Sequence, residues 1–299
     1  MPQALSDNQR GLFVTFEGGD GAGKSTQIRF LARFLEDRGR EVLRLREPGG
    51  TAVGEALRRV VLDPAHGAMS DRAELLIYEA ARAQIVDEVI RPALARGAVV
   101  LCDRFYDSTV AYQGAGRGLD GAFIDAANRF ACDGLVPDVT VLLVAPEAAV
   151  RSRMGRRAGA DRLEQAGDAF HRRVAEGFAA LAAAEPERVR TVSSQLQRVD
   201  TFRAVLAELV PVLPEAAEAL TDGEYLDALV SQVMDEKRRE RERERKRKNA
   251  RKRGRGGKGA RGGGSSKGPR GGKGARGAAD GKRGAGKSSK SVKKGEHRG

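Results

Sequence analysis

Cysteine and histidine are scarce in this chain, with two of the first and three of the second among 299 residues. Cys102 and Cys132 lack the paired spacing of a zinc ligand set, and three histidines are too few to complete one. Both thiols read as reduced, small hydrophobic groups of a cytoplasmic protein. Long apolar runs are also missing. None approaches the ~20 residues needed to span a bilayer, and the opening MPQALSDNQRG has no apolar core of the kind a signal peptide carries. The expectation is a cytoplasmic chain with no membrane partner. From Gly254 onward almost nothing apolar is available to bury and no aromatic occurs, so residues 254–299 are expected to be disordered.

What is abundant is charge, unevenly distributed. The net charge is +13. From Glu236 to Gly299, 26 basic residues face 6 acidic ones, a tail of +20 that leaves residues 1–235 at −7. A mildly acidic body therefore carries a strongly basic appendage, and the two need separate explanations.

Within the body, short apolar runs alternate with helical patterns. LFVTFE (12–17), residues 41–46, AVVLCD (98–103), VTVLLVA (139–145) and VRTV (189–192) read as five strands. Runs such as VVLC and VLLV lack polar alternation, as strands covered on both faces do. The fold class expected is α/β, with a five-stranded parallel sheet and helices on both faces. Ile28, Leu31, Phe34 and Leu35 share one face of a helix over 27–35, and residues 70–96 read as one long helix capped by Ser70. Residues 1–10 form a polar leader, and the body runs over 11–213. Residues 214–253 then read as a linker and a helix that turns from amphipathic to charged, opened by a Thr221–Glu224 capping box. Since no motif lies beyond Leu213, cutting there is expected to leave catalysis within about twofold.

The strongest motif is Gly18-Gly19-Asp20-Gly21-Ala22-Gly23-Lys24-Ser25, which matches G-x4-G-K-[ST] and is followed by Thr26. Glycines let backbone N–H groups curl around phosphate oxygens, and the helix that follows points its positive end at the anion. Lys24 supplies charge to the β/γ-phosphates and the Ser25 hydroxyl ligates Mg²⁺. The loop lies between a buried strand and an amphipathic helix, the context that confirms the motif. It makes the sheet a P-loop NTPase fold that binds a nucleotide phosphate chain and Mg²⁺, with the site at the carboxyl ends of the strands. Strand three ends in Asp103-Arg104. Asp103 there reads as a second metal-holding group or as a turn or cap residue, and Arg104 can grip a phosphate bidentately.

Several segments together are more specific. DRFYDSTVAYQGAGRG (103–118), REPGGT (46–51), ELLIYEAARAQ (74–84), EGGDGAGKSTQ (17–27) and DRLE (161–164) occur in one order across about residues 11–211, and the set resembles the thymidylate kinases. The resemblance implies dTMP phosphorylation by ATP-Mg, a mobile lid and a homodimer. It places Tyr78 against the acceptor base and Arg82 one turn later on the base edge. The alternative for Tyr78 is a core aromatic. Arg104 would hold the acceptor phosphate, with Ser108, Thr109, Tyr112 and Gln113 lining base and sugar and Tyr112 excluding a 2′-hydroxyl. Asp20 would lie at the acceptor sugar or metal. Glu47 and Pro48 would shape the wall, with a constrained bond before the proline. Gly21 stands where some relatives carry a P-loop arginine. The catalytic arginine is therefore expected in the lid, RSRMGRRAGADRLE (151–164), with Arg153 and Arg157 foremost and others merely solvated. The rival readings are a P-loop kinase for another nucleotide or nucleoside, and a nucleic-acid-binding protein built on a kinase fold. The basic tail suits non-specific nucleic acid in either case.

Overall fold

A computed structural model describes residues 10–145 and 161–256 of the chain, with side chains as far as Arg247. Five parallel strands form one sheet: β1 (Phe13–Glu17), β2 (Val42–Arg46), β3 (Val99–Asp103), β4 (Val139–Val144) and β5 (Val189–Ser193). Their order is β2-β3-β1-β4-β5. β1 thus lies at the centre, and its register pairs Phe16 with Asp103 on one side and with Val141 on the other. This α/β arrangement is the one expected from the sequence.

Side-chain alternation along the strands divides the core. Val14, Phe16, Val99, Leu101, Val141 and Leu143 face one layer. Phe13, Val100 and Cys102 face the other, as does Leu142 through a third cluster. The first layer is covered by α1 (Lys24–Glu36) and by α8 (Arg198–Leu209), whose Phe202 meets Phe30 and Phe34 edge-on. The opposite layer holds α3 (Asp71–Ile85), α4 (Arg91–Ala95), α6 (Gly121–Ala131) and α7 (Asp168–Ala184). Between β2 and α3 runs α2 (Ala52–Leu62), and the short α5 (Tyr106–Thr109) follows β3. Cys102 and Cys132 are both buried and unpaired.

The long helix expected over 70–96 is interrupted. Ser70 does cap it, accepting from the Ala73 N–H. At Val86–Ile90 the ladder widens to i→i−5 bonds, with Arg91 N–H donating to the Val86 carbonyl. Pro92 is the cause: it has no N–H, and its ring crowds the carbonyl four residues back. A second widened turn, Val110–Gly116, carries Tyr112 and Gln113.

The boundary expected at Leu213 is corrected. Helices α9 (Glu215–Thr221) and α10 (Gly223–Gly256) follow it. Ala216, Ala219, Leu226, Leu229, Val230 and Val233 are buried in the same cluster as Phe34, Leu206 and Leu209. A linker would not bury apolar side chains; these complete the layer over α1 and α8. The compact unit extends to Arg245, and Lys246–Gly299 is a second unit. The capping box is corrected too. Thr221 Oγ1 donates to the Glu218 carbonyl, so Asp222 caps α10 by accepting from the Tyr225 N–H at 2.9 Å. No described helix is long and apolar enough to cross a membrane.

Candidate active site

At the carboxyl end of β1 the chain turns through Gly18, Gly21 and Gly23, with φ of 123°, 78° and 107°. Only glycine enters that region freely. At Gly18 a Cβ would also stand 2.2 Å from the Leu143 carbonyl oxygen, so the loop presses against β4. Lys24 opens α1 and curls back, donating to the Gly18 and Gly19 carbonyls at 2.9 and 3.1 Å. Burial, then repulsion from Arg104, brings its ammonium down to about 8. Ser25 Oγ donates to Asp103 Oδ2 at 2.6 Å. The β1–β3 pairing thus brings together the two residues that sequence reasoning offered as metal ligands.

Arg104 adopts a left-handed backbone, φ 72°, unusual for a residue with a Cβ. Its guanidinium donates to Asp20 Oδ1 at 2.9 Å, to the Tyr112 hydroxyl at 3.0 Å and to Ser108 Oγ at 3.1 Å. Burial would raise the Asp20 carboxyl, but Arg104 and Lys24 outweigh it and hold it at about 2. Beneath lies Glu17, which sequence reasoning missed. It accepts from the Phe105 and Ser108 N–H groups and from Ser108 Oγ, and so fixes the loop that carries Arg104. Burial pushes its carboxyl up to about 7, against the pull of Arg104. The only signal was a glutamate ending an otherwise apolar strand.

Two cavities share this floor. The larger, about 850 Å³, is lined by Asp20 to Gln27, by Asp103 and Arg104, and by Ser194, Leu196, Gln197, Arg198 and Met234. The smaller, about 90 Å³, is lined by Pro48, Tyr78, Arg82, Ser108, Thr109, Tyr112 and Gln113. Asp20, Glu47, Arg58 and Arg104 line both. Every described residue expected at the acceptor therefore converges on one pocket. Arg58 was not foreseen; from α2 it donates to the Pro48 carbonyl at 2.8 Å, beside the cis Glu47–Pro48 bond.

Arg82 is almost wholly enclosed. It donates to Glu47, Glu79, Asn128 and the Phe105 carbonyl, which uses four of its five N–H groups. One guanidinium thus faces two buried carboxylates. Burial raises Glu47 to about 7, while Arg82 opposes the rise. Tyr78 has no hydrogen-bond partner for its hydroxyl among the described residues, and burial raises its phenol. Glu74, also unforeseen, is fully buried and anchors the far wall. It accepts from Gln113 at 2.7 Å, from Arg117 at 2.9 Å and from Arg162. Burial alone would raise Glu74, but the Arg117 and Gln113 bonds outweigh it and hold the carboxyl below its ordinary value. Arg162 also donates to the Val61 carbonyl and is a tether, not an arginine available to a ligand. Arg151, Arg153, Arg156 and Arg157 lie outside the described residues.

Sheet order and phosphate loop define a protein of the P-loop nucleotide-kinase class, with two cavities that share one floor. The family profile described as thymidylate kinase matches residues 16–204. The thymidylate kinase of Cutibacterium acnes is 49% identical over 203 residues, covering 68% of this chain and 98% of its own. That of Alcanivorax borkumensis is 48% identical over 200 residues, covering 67% and 96%. A crystal structure of thymidylate kinase from Ehrlichia chaffeensis superposes with a TM-score of 0.54 at 32% identity, over 68% of this chain and 99% of that one. The chain belongs to the thymidylate kinase family.

Proposed function

We propose that the chain transfers the γ-phosphoryl group of ATP to dTMP, giving ADP and dTDP for dTTP synthesis. The observation that carries the reading is the shared floor of the two cavities, where Asp20 and Arg104 meet both. The donor cleft suits a polyphosphate. Its glycine turns present backbone N–H groups, Lys24 is buried among them, and Ser25 and Asp103 stand together as an oxygen pair for Mg²⁺. Mg²⁺ held there would supply positive charge to offset that of a bound polyphosphate.

Gly18 to Thr26 cradle the donor phosphates, and Lys24 meets the β/γ oxygens. Arg104 grips the acceptor phosphate, held in place by Asp20, Ser108 and Tyr112. Tyr78 stacks on the base, and Arg82 offers it the N–H not spent on protein partners. Glu47 and Pro48 form the wall, Thr109 and Gln113 line the base and sugar, and Tyr112 excludes a 2′-hydroxyl. Arg153 and Arg157 meet the moving phosphoryl group as the lid closes and excludes water. The acceptor oxygen is already ionised, so no general base is needed.

A coupled ADP-release assay across nucleoside monophosphates is expected to rank dTMP first, dUMP lower and purine nucleotides near background. The thymine methyl gives only ~1–3 kcal/mol of discrimination, so dUMP stays measurable. Faster kcat/KM on dGMP or dCMP would overturn the acceptor. Tyr78→Ala should raise the dTMP KM and leave the ATP KM nearly unchanged; the reverse pattern would remove Tyr78 from the acceptor pocket.

For the basic tail we infer non-specific attachment to nucleic acid. Its +20 charge is spread among glycines with no aromatic to stack on bases. Anisotropy of a labelled duplex and of an unrelated RNA should show similar binding that falls steeply between ~50 and ~200 mM salt. Salt-insensitive or sequence-selective binding would refute a purely electrostatic tail.

A further inference from the structure

Helix α10 starts beyond the family span, which ends at residue 204. The Cutibacterium acnes relative is matched over 98% of its length by 203 residues, so it has no length left for a counterpart. Yet Met234, Lys237 and Arg241, three and four residues apart and so on one helix face, line the donor cleft. None of them lines the acceptor pocket. Lys237 Nζ donates to Thr26 Oγ1 at 2.9 Å, in the first turn of α1. Leu226, Leu229, Val230 and Val233 anchor the helix in the core, and Arg29–Glu240 and Arg33–Glu236 pair it to α1 at 3.0 and 3.3 Å.

The direction of the nucleotide follows from the cavities. The γ-phosphate has to reach the residues shared with the acceptor pocket. The rest of the donor then extends along the part of the cleft that the acceptor pocket does not share, which Gln197, Arg198 and α10 line. The cations of α10 therefore face the α-phosphate and ribose, the part of the donor that Lys24 and Ser25 do not serve.

We propose that Lys237 and Arg241 are donor-binding residues, which contact the α-phosphate end of ATP and make the C-terminal helix a wall of the nucleotide site. The proposal rests on reading the larger cleft as the ATP site. Both residues bind and position and do no chemistry, so their loss acts on donor affinity and not on turnover.

The test is calorimetry on the full chain with ATP, ADP and adenosine, together with steady-state kinetics. The variants are Lys237→Ala, Arg241→Ala and the double charge reversal Lys237→Glu with Arg241→Glu. The control is Arg238→Ala, on the same helix, 70% exposed, paired with Asp235 and outside the cleft. A lost charged contact to phosphate corresponds to roughly tenfold in affinity. The double reversal should weaken ATP and ADP by at least about that factor, and each alanine by less. Adenosine affinity, the dTMP KM and kcat at saturating ATP should stay within about twofold, and Arg238→Ala should change nothing. Should the reversal not fold, the two alanines decide, since Lys237 is only half-buried and Arg241 is exposed. Unchanged ATP affinity in folded variants, or equal losses for adenosine and ATP, would overturn the proposal. Wild-type protein that binds no ATP would instead overturn the reading of the cleft.

Discussion

Replacing Lys24 by alanine is expected to lower kcat by ~10²-fold or more, the range seen when a single aligned transition-state donor is removed. The side chain is held over the loop by two carbonyls and shielded from water, so no neighbour can substitute for it. Arg104 cannot, because Asp20, Ser108 and Tyr112 hold it toward the acceptor. Single alanine variants of Arg153, Arg156 and Arg157 should be unequal, since one or two at most can reach the moving group. Rapid-quench single-turnover assays check both expectations. A loss below tenfold for Lys24→Ala, or three equally mild lid variants, would mean that charge acts in bulk and not by placement.

Cutting the chain after Leu213 is expected to cost stability and activity together, contrary to what motif positions suggest. The cut removes Leu226, Leu229, Val230 and Val233 from the core and uncovers Phe34, Leu206 and Leu209. Burying one such side chain contributes ~1.5–3 kcal/mol. At ~2–4 °C per kcal/mol for a domain of this size, Tm should fall by about 10 °C or more. Cutting after Arg245, at the end of the compact unit, should leave Tm within a few degrees. Leu226→Ala in the full chain is expected to cost ~2–5 kcal/mol by itself. Thermal melts of the three proteins decide. An unchanged Tm after the Leu213 cut would show that α10 is dispensable to the core.

The strands were legible because a strand buried on both faces carries a mostly apolar run without polar alternation, and FVTFE, VVLCD and VTVLLV do. The phosphate loop was legible because few sequences bend that way. Ser25 and Asp103 could be named singly, but their pairing depends on which strands are neighbours, and sequence order does not fix that. Glu17, Arg58 and Glu74 were missed for a related reason. Each supports a loop or a wall through long-range bonds, and a buried carboxylate beside apolar residues looks like a strand end or a helix cap. The C-terminal helix was misjudged because its apolar face was read as a partnerless amphipathic stretch. The partner is a surface of α1 and α8, which only the fold assembles.

The central place of β1 has a consequence during synthesis. The strand that carries the phosphate loop emerges first, yet both of its neighbours are translated later, β3 ending at Asp103 and β4 at Val144. At elongation rates of ~5–20 residues per second, the wait for β4 is on the order of 10 s. All five residues of β1 are buried in the finished sheet, so until β3 emerges the strand stands with both edges bare, and until β4 emerges with one. Nucleotide cannot shelter it, because the cleft that would hold it is lined by residues from Asp20 to Arg241 and is complete only after the last of them is made. The nascent chain has to be guarded by other means, and ligand rescue of folding can begin only once most of the body has left the ribosome.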